Sequence, residues 1–315
     1  MTTTRPTWAI IDSATDVGVL LGAARQLSDV VVALVIGPRH LVEQASSSGF
    51  SETRWLGEPA ATVGSEDYAA AIAELALRET PTAALMASST RNRLLAGRLA
   101  ARLDTSALTD VSDLRTEDDT VVVTHSLYGG AALRTERLLS AIGVITISAG
   151  AFAAFGSGPS WPGPIVEASC AVTPPPISLL ERRSEPRSAG TLPQAKVVVG
   201  AGRGVGSRDD LGVVEELAQA LGGQMACTRP LAEGLNWMGR DQYLGVSGLS
   251  IAPDLYVAVG VSGQMQHMVG VDQARVIVAI NNDKAAPVFA ESDYGIVGDL
   301  HQVVPALVDA LKAVS

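Results

Sequence analysis

Short apolar runs alternate with amphipathic segments along the first hundred residues. The runs at residues 8–11, 30–36 and 83–87 have the length and the apolar content of buried strands. Between them, residues 16–27 and 66–78 place apolar side chains three and four positions apart, which is typical of helices with one buried face. Apolar strands that alternate with helices predict a parallel sheet covered by helices on both sides.

The pattern changes in the middle of the chain. Residues 120–148 contain three strand-like segments, and a stretch rich in Gly, Ser and Pro follows at 156–164. A second α/β pattern begins near residue 196, and a length of 315 residues suits two domains. We therefore predict an α/β protein with domains at 1–190 and 191–315, each with a mainly parallel sheet covered by helices.

The composition and net charge argue against several classes of function. The formal net charge is −10 and aromatic residues make up 4%, so we expect no nucleic-acid partner, because an acidic surface repels phosphate backbones. Cys170 and Cys227 lie far apart and the four histidines are scattered, which predicts no metal site. No apolar run has the length of a membrane helix and no secretory leader is recognised, so we predict a cytoplasmic protein without membrane insertion.

Glycines gather at the ends of the predicted strands in the second domain. Residues 199–207 read Val-Gly-Ala-Gly-Arg-Gly-Val-Gly-Ser and lie between a strand and a helix. Glycines allow a backbone to approach a phosphate closely, and Arg203 within the loop suits a pyrophosphate. The dinucleotide-binding spacing Gly-x-Gly-x-x-Gly fails, because Val205 occupies the place of the third glycine. A loop that simply requires positive φ angles remains an alternative.

Three further strand ends carry polar side chains. Ser262, two glutamines and His267 follow a buried strand, which a ligand explains better than packing does, although a lone histidine is more often structural. The amide of Asn281 suits hydrogen bonds to the edge of a ring or to a ribose. The alternative is that the residue forms an ordinary turn. Asp299 either holds a ribose hydroxyl or caps the last helix. The sequence has no Walker A loop, no His-Glu-x-x-His and no Gly-x-Ser-x-Gly, so the loops favour cofactor binding over catalysis by side chains.

One of these segments carries a recognisable motif. Residues 253–263 read Pro-Asp-Leu-Tyr-Val-Ala-Val-Gly-Val-Ser-Gly, followed by Gln266, His267 and Gly270, and they resemble the signature of the electron transfer flavoprotein alpha-subunit family. The resemblance continues in order at 278–281, 286–289 and 293–300, and also includes the loop at 200–206 and the pair Thr228-Arg229. It is specific over residues 194–315, whereas over residues 1–190 it rests on the order and length of the elements.

The resemblance implies a Rossmann-like C-terminal domain that binds FAD and a beta subunit that completes a heterodimer. It implies an electron carrier that takes electrons from donor dehydrogenases, as in fatty acid beta-oxidation, and passes them to a quinone reductase or a similar acceptor. The first domain then serves as a scaffold and as the interface with the beta subunit. Such a carrier converts no carbon substrate itself, because the flavin supplies the redox chemistry.

The resemblance also assigns residues to the cofactor. It implies Arg203 at the diphosphate, Arg229 over the isoalloxazine ring and Ser247 near the flavin N5. It places His267 near the C2 carbonyl, where reduction builds negative charge that an arginine or a protonated histidine would stabilise. The implied FAD contacts are Arg203, Thr228, Arg229, Leu244, Gly245, Val246, Ser247, Ser262, Gly263, Gln264, Met265, Gln266, His267, Asn281, Asp299 and Leu300.

The loop at 245–249 departs from the family pattern. The family has Gly-Gln-Thr-Gly-Lys there and this chain has Gly-Val-Ser-Gly-Leu, so Val246 replaces an amide, Leu249 replaces a cation and Ser247 keeps a hydroxyl. Two other functions stay open. One is an NAD(P)-binding oxidoreductase or transferase domain, against which the failed glycine spacing argues. The other is a non-catalytic subunit that has lost FAD, which the changed loop would allow.

Overall fold

The computed structural model describes residues 5–118, 120–155, 162–168, 170, 172 and 192–314. Of these, 5–127 and 133–172 belong to one compact unit, and 128–132 and 192–314 belong to a second. Each unit contains a mainly parallel sheet, which confirms the predicted fold class. The predicted boundary between residues 190 and 191 lies outside the described residues and stays a prediction.

The first unit is built on a sheet with nine described strands. They are β1 (Thr7–Ile11), β2 (Val31–Ile36), β3 (Glu52–Gly57), β4 (Ala83–Ala87), β5 (Ala107–Glu117), β6 (Thr120–Leu127), β7 (Ala132–Arg137), β8 (Gly143–Ile147) and β9 (Ile165–Glu167). Their order in the sheet is β7-β6-β5-β8-β4-β1-β2-β3-β9. The strands from β5 through β8, β4, β1, β2 and β3 to β9 pair in parallel, and β6 pairs with β5 in antiparallel orientation.

Helices cover both faces of this sheet. They are α1 (Val17–Ala24), α2 (Arg39–Ser47), α3 (Ala69–Glu79) and α4 (Thr90–Arg102). In β1, Ala9 and Ile11 belong to the core that α1 and α2 share, whereas Trp8 and Ile10 belong to the core of α3 and α4. Because successive side chains of a strand point to opposite faces and helices cover both faces, β1 is buried at every position.

The second unit contains a smaller sheet. Its described strands are β10 (Val197–Ala201), β11 (Gln224–Cys227), β12 (Leu255–Val259), β13 (Ile277–Asn281) and β14 (Tyr294–Val297). They lie in the order β11-β10-β12-β13-β14, and all neighbours are parallel. Helices α5 (Leu211–Ala220) and α7 (Leu300–Val314) pack on one face, and the short helix α6 (Met265–Met268) follows β12. None of the helices in the described part of the chain has the length and apolar character needed to cross a membrane.

The sequence pattern does not predict α2, β5, β9 or β14. Strand β5 is only partly buried along its length, so its polar positions hide it from a search for apolar runs. Strand β14 lies at the edge of its sheet, where all four residues are exposed. Helix α7 begins at Leu300, directly after Asp299, whose carboxylate accepts a hydrogen bond from the backbone N–H of His301 (2.9 Å).

Candidate functional site

The loops after four strands of the second unit open at one edge of the sheet. The strands β11, β10, β12 and β13 are aligned so that Cys227, Ala201, Val259 and Ile280 are neighbours in register. In a parallel sheet, the segments that follow such residues surround a common crevice. Here they surround a cavity of about 1010 Å³, which is large enough for a dinucleotide-sized ligand.

The cavity brings together most of the predicted cofactor contacts. Because they come from five separate segments of the second unit, the packing of the loops, and not proximity in sequence, assembles them. The predicted residues that line the cavity are Arg203, Thr228, Arg229, Val246, Ser262, Gln264, Gln266, His267 and Asn281.

Other lining residues were not predicted. They are Gly204, Pro230, Tyr243, Gly260, Val261, Asp283, Ala286 and Pro287. Gly260 and Pro287 fall inside the segments that resemble the flavoprotein family, so the sequence contained a signal for them. Tyr243 carried no such signal, because it reaches the site through an isolated bridge to Cys227.

Glycines let the loops after β10 and β12 pack backbone against backbone. The N–H of Gly202 donates to the carbonyl of Val259 (2.9 Å), and the N–H of Gly204 donates to that of Gly260 (3.0 Å). A Cβ atom on Gly202 would lie 2.2 Å from the Gly260 carbonyl oxygen, and Gly260 has a φ of +62°. Any larger residue would force these loops apart, so the glycines shape the cavity wall.

Thr228 supplies a buried polar atom at the cavity. Its side chain is 8% exposed, and its hydroxyl oxygen is buried without a hydrogen-bond partner. Its backbone N–H donates to the carbonyl of Ala201 (3.0 Å), which holds the residue at the end of β11. Buried polar groups normally have partners, so this hydroxyl fits a site whose polar ligand completes it.

Arg229 lines the cavity, and a carboxylate partly compensates its positive charge. Its Nε donates to a carboxylate oxygen of Glu233 (2.7 Å), and Arg240 donates to the other oxygen of the same carboxylate. The hydrogen bond from Arg229 is the largest cause that lowers the pKa of Glu233 below its usual range. Glu233 is therefore ionised at neutral pH and orients Arg229, whose side chain remains 66% exposed.

His267 is buried and has hydrogen-bonding neighbours at both ring nitrogens. Nδ1 lies 3.1 Å from the carbonyl oxygen of Leu244, and Nε2 lies 2.7 Å from the hydroxyl oxygen of Tyr256. Burial disfavours the charged ring and lowers the pKa of His267 to about 4. The ring is therefore uncharged at neutral pH in this fold, and the arginines that line the cavity are Arg203 and Arg229. The implied place of His267 near the flavin C2 carbonyl stays a prediction.

The segment 244–248 packs against the segment that contains α6. Gly245 has a φ of +136°, and a Cβ atom there would lie 2.5 Å from the carbonyl oxygen of Gln266. The N–H of Val246 donates to the same carbonyl (2.8 Å). Ser247 is not among the residues that line the cavity, and its hydroxyl is paired with that of Tyr243 (2.9 Å). Its predicted place near the flavin N5 stays a prediction.

Several predicted residues are not among those that line the cavity. Leu244 is buried and offers its carbonyl to His267, and Leu300 belongs to the core beneath α7. Asp299 caps α7, which is the second of its two predicted roles. Gly263 and Met265 border a neighbouring cavity of about 460 Å³.

Asn281 lines the main cavity but uses its amide within the protein. Its Nδ2 donates to the carbonyl of Val261 (2.8 Å), and its Oδ1 accepts from the N–H of Asp283 (2.9 Å). From the sequence, Asn281 was expected either to contact a ring or a ribose or to form an ordinary turn, and these hydrogen bonds match the turn. The side chain thereby ties the loop after β13 to the loop after β12.

Known proteins resemble both units. A family model described as the electron transfer flavoprotein FAD-binding domain matches residues 191–272, and one described as the electron transfer flavoprotein domain matches residues 18–173. YdiR of Escherichia coli K12, named as an electron transfer flavoprotein subunit, is 37% identical and covers 97% of each chain. The chain belongs to the electron transfer flavoprotein alpha-subunit family. Protein FixB of Salmonella typhimurium LT2 is 36% identical over 96% of this chain and 97% of its own length, and Protein FixB of Escherichia coli O17:K52:H18 is 34% identical over 99% of each.

Membership in this family identifies FAD as the cofactor. The FAD-binding family model spans the loops at 200–206, 228–229, 245–248 and 260–267. The residues fit the cofactor, since the cavity has a suitable volume, a wall of closely packed glycines and an unpartnered buried hydroxyl on Thr228. The family match also reaches the first unit, where the sequence had supported a resemblance in the order of elements alone.

Proposed function

We propose that this chain is the alpha subunit of a heterodimeric electron carrier, whose FAD receives electrons from dehydrogenases and passes them to a quinone reductase or a similar acceptor. The glycine-walled cavity with the unpartnered Thr228 hydroxyl carries the proposal. Asp283 is the single carboxylic acid among the described residues that line it. Such a lining suits electron transfer through a held cofactor better than acid–base chemistry on a carbon substrate.

The chain's own residues bind the cofactor and set its electrostatic surroundings. When bound, FAD supplies the redox chemistry by accepting and releasing electrons. Arg229 and Arg203 place positive charge at the cavity, which favours the additional negative charge of a reduced cofactor. Glu233 limits that effect, because its carboxylate pairs with Arg229.

The first unit is proposed as the scaffold and as the interface with the beta subunit. Leu133 in β7 is 73% exposed and Leu139, just after this strand, is 92% exposed. Two large apolar side chains so close in sequence support a protein–protein contact on this side of the unit. Beta-oxidation dehydrogenases as donors and a cytoplasmic location complete the proposal, and they rest on the family resemblance.

An absorption spectrum of the full chain, purified with its co-expressed partner subunit, tests this function. We expect the two visible bands of oxidised flavin, and bleaching when a donor dehydrogenase and its substrate are added. Binding of NADH by a complex that shows no flavin bands would favour the dinucleotide-dependent alternative. A colourless, folded complex that takes up no added FAD would instead favour a subunit that has lost the cofactor.

A further inference from the structure

A tyrosine–histidine pair lies buried beside the cavity of the second unit. Tyr256 belongs to β12 and is fully buried, and His267 belongs to α6 and is 7% exposed. The hydroxyl oxygen of Tyr256 lies 2.7 Å from Nε2 of His267. His267 lines the cavity, whereas Tyr256 contacts the cavity through His267 and is not among its lining residues.

The neighbours of the ring decide where its proton sits. The backbone carbonyl of Leu244, 3.1 Å from Nδ1, can only accept a hydrogen bond, so Nδ1 carries the proton. In an uncharged ring Nε2 is then an acceptor, and the Tyr256 hydroxyl donates to it. Burial strongly raises the pKa of the Tyr256 hydroxyl, so this donor keeps its proton at neutral pH.

Gly200 makes room for this arrangement. It lies within β10, beside β12, and a Cβ atom on it would come within 2.1 Å of the Tyr256 hydroxyl oxygen. Glycine inside a strand normally weakens the strand and marks a close approach by another group. Here the close group is the hydroxyl that reaches His267.

We propose that Tyr256 is a positioning residue of the FAD site: its hydroxyl holds His267 uncharged with the proton on Nδ1, so that His267 adds no positive charge to the cavity. The other titratable or charged groups facing the same cavity are Arg203, Arg229, Tyr243 and Asp283. The buried thiol of Cys227 adds no charge at neutral pH, because burial raises its pKa to about 12. The inference rests on the proposed function only for its effect on the bound flavin.

Nitrogen NMR of the histidine rings tests the protonation state directly. The full chain is labelled with ¹⁵N-histidine and purified with its partner subunit, and a His267→Gln variant identifies the His267 signals. We expect an uncharged ring with the proton on Nδ1 at neutral pH. A proton on Nε2, or a charged ring at pH 7, would overturn the proposal whatever any variant does.

The Tyr256→Phe variant measures what the hydroxyl contributes. Loss of one hydrogen bond to the uncharged ring should raise the proton affinity of His267 about tenfold, or about one pKa unit. Tyr243→Phe removes another buried phenol hydroxyl, paired with Ser247 and not with His267, and should leave the His267 titration unchanged. An unchanged titration in Tyr256→Phe, or an equal shift in both variants, would contradict a positioning role.

The reduction potential of bound FAD gives the second readout. In Tyr256→Phe the potential should rise more steeply on acidification than in the unchanged protein, because His267 then gains a proton next to the cavity. A complex that binds no FAD would refute the proposed function, while the NMR result on His267 would still stand or fall separately. If Tyr256→Phe does not fold, the ring state in the unchanged protein decides the proposal.

Discussion

Both units end their parallel strands at one edge of a sheet, but the two edges are completed differently. In the first unit Asp12 follows β1, and its carboxylate accepts hydrogen bonds from Ser65 (2.9 Å) and Asn92 (3.2 Å). Ser88, which follows β4, is paired with the hydroxyl of Thr146 in β8 (2.7 Å). Side chains of the unit itself therefore pair with one another at this edge, although Oδ1 of Asn92 is buried without a hydrogen-bond partner.

In the second unit, backbone contacts between loops and a cavity are found at the corresponding edge instead of those side-chain pairs. Gly202 and Gly260 bring two loops into direct backbone contact, and the hydroxyl of Thr228 is buried without a partner. A cavity remains at the strand ends. The comparison shows that a shared architecture places strand ends together, while the residues that follow them decide whether a ligand is needed there.

The largest effect is expected at the glycine contact. Gly202→Ala would place a Cβ atom against the Gly260 carbonyl, so we expect a loss of about 3 kcal/mol in the free energy of unfolding and loss of bound FAD. Gly212→Ala, in α5 of the same unit with open space around it, should instead gain about 0.5–1 kcal/mol. Urea unfolding and flavin absorbance measure both, and equal behaviour of the two variants would contradict the account of the cavity wall.

Acidification gives the next largest effect. The folded pKa of His267 is lowered from 6.5 to about 4, so the unfolded chain binds a proton in this window that the folded chain does not. The stability contributed by the uncharged ring is complete above pH 6.5 and falls as the pH approaches 4, by roughly 3 kcal/mol. Urea unfolding between these pH values should show this slope, and His267→Gln should reduce it by that amount. A slope that is the same in both proteins would mean that His267 is charged in the fold.

The edge of the first unit, where Asp12 pairs with neighbouring side chains, offers a third test. Asp12→Ala removes the acceptor of two hydrogen bonds and should cost about 2 kcal/mol of stability, because the buried side chains of Ser65 and Asn92 lose a partner. Flavin absorbance per folded complex should not change. Glu58→Ala, at an exposed position of the same unit, should alter neither quantity. A specific loss of FAD in Asp12→Ala would show that the first edge also serves the cofactor.

The smallest effect compares one substitution at both edges. Thr228→Val removes an unpartnered hydroxyl, so stability should be nearly unchanged, while the Kd for FAD rises about tenfold through one lost hydrogen bond. Thr146→Val removes a hydroxyl that bonds Ser88 and the N–H of Asp110. It should cost about 1 kcal/mol of stability and leave the Kd unchanged. A reversed pattern would remove the distinction between the two edges.

Much of the architecture and of the cavity lining could be predicted from the sequence. The strands at 8–11 and 83–87 are buried on both faces, so apolar runs between helical patterns were sufficient to recognise them. The flavoprotein motif at 253–263 and the glycines around Arg203 led to loops that line the cavity. Half-buried strands such as β5, and exposed edge strands such as β14, carry no such pattern because few of their residues are buried.

The sequence by itself determined the two α/β units, the glycine loops and the family, because strand and helix periodicity, glycine's backbone freedom and motif order are local properties. The tertiary structure alone decided which polar atoms have partners. Asp299 caps a helix, Ser247 pairs with Tyr243, and Thr228 is left unpaired. It also decided the charge of His267, since burial and the neighbours Leu244 and Tyr256 arise only when separate segments pack together.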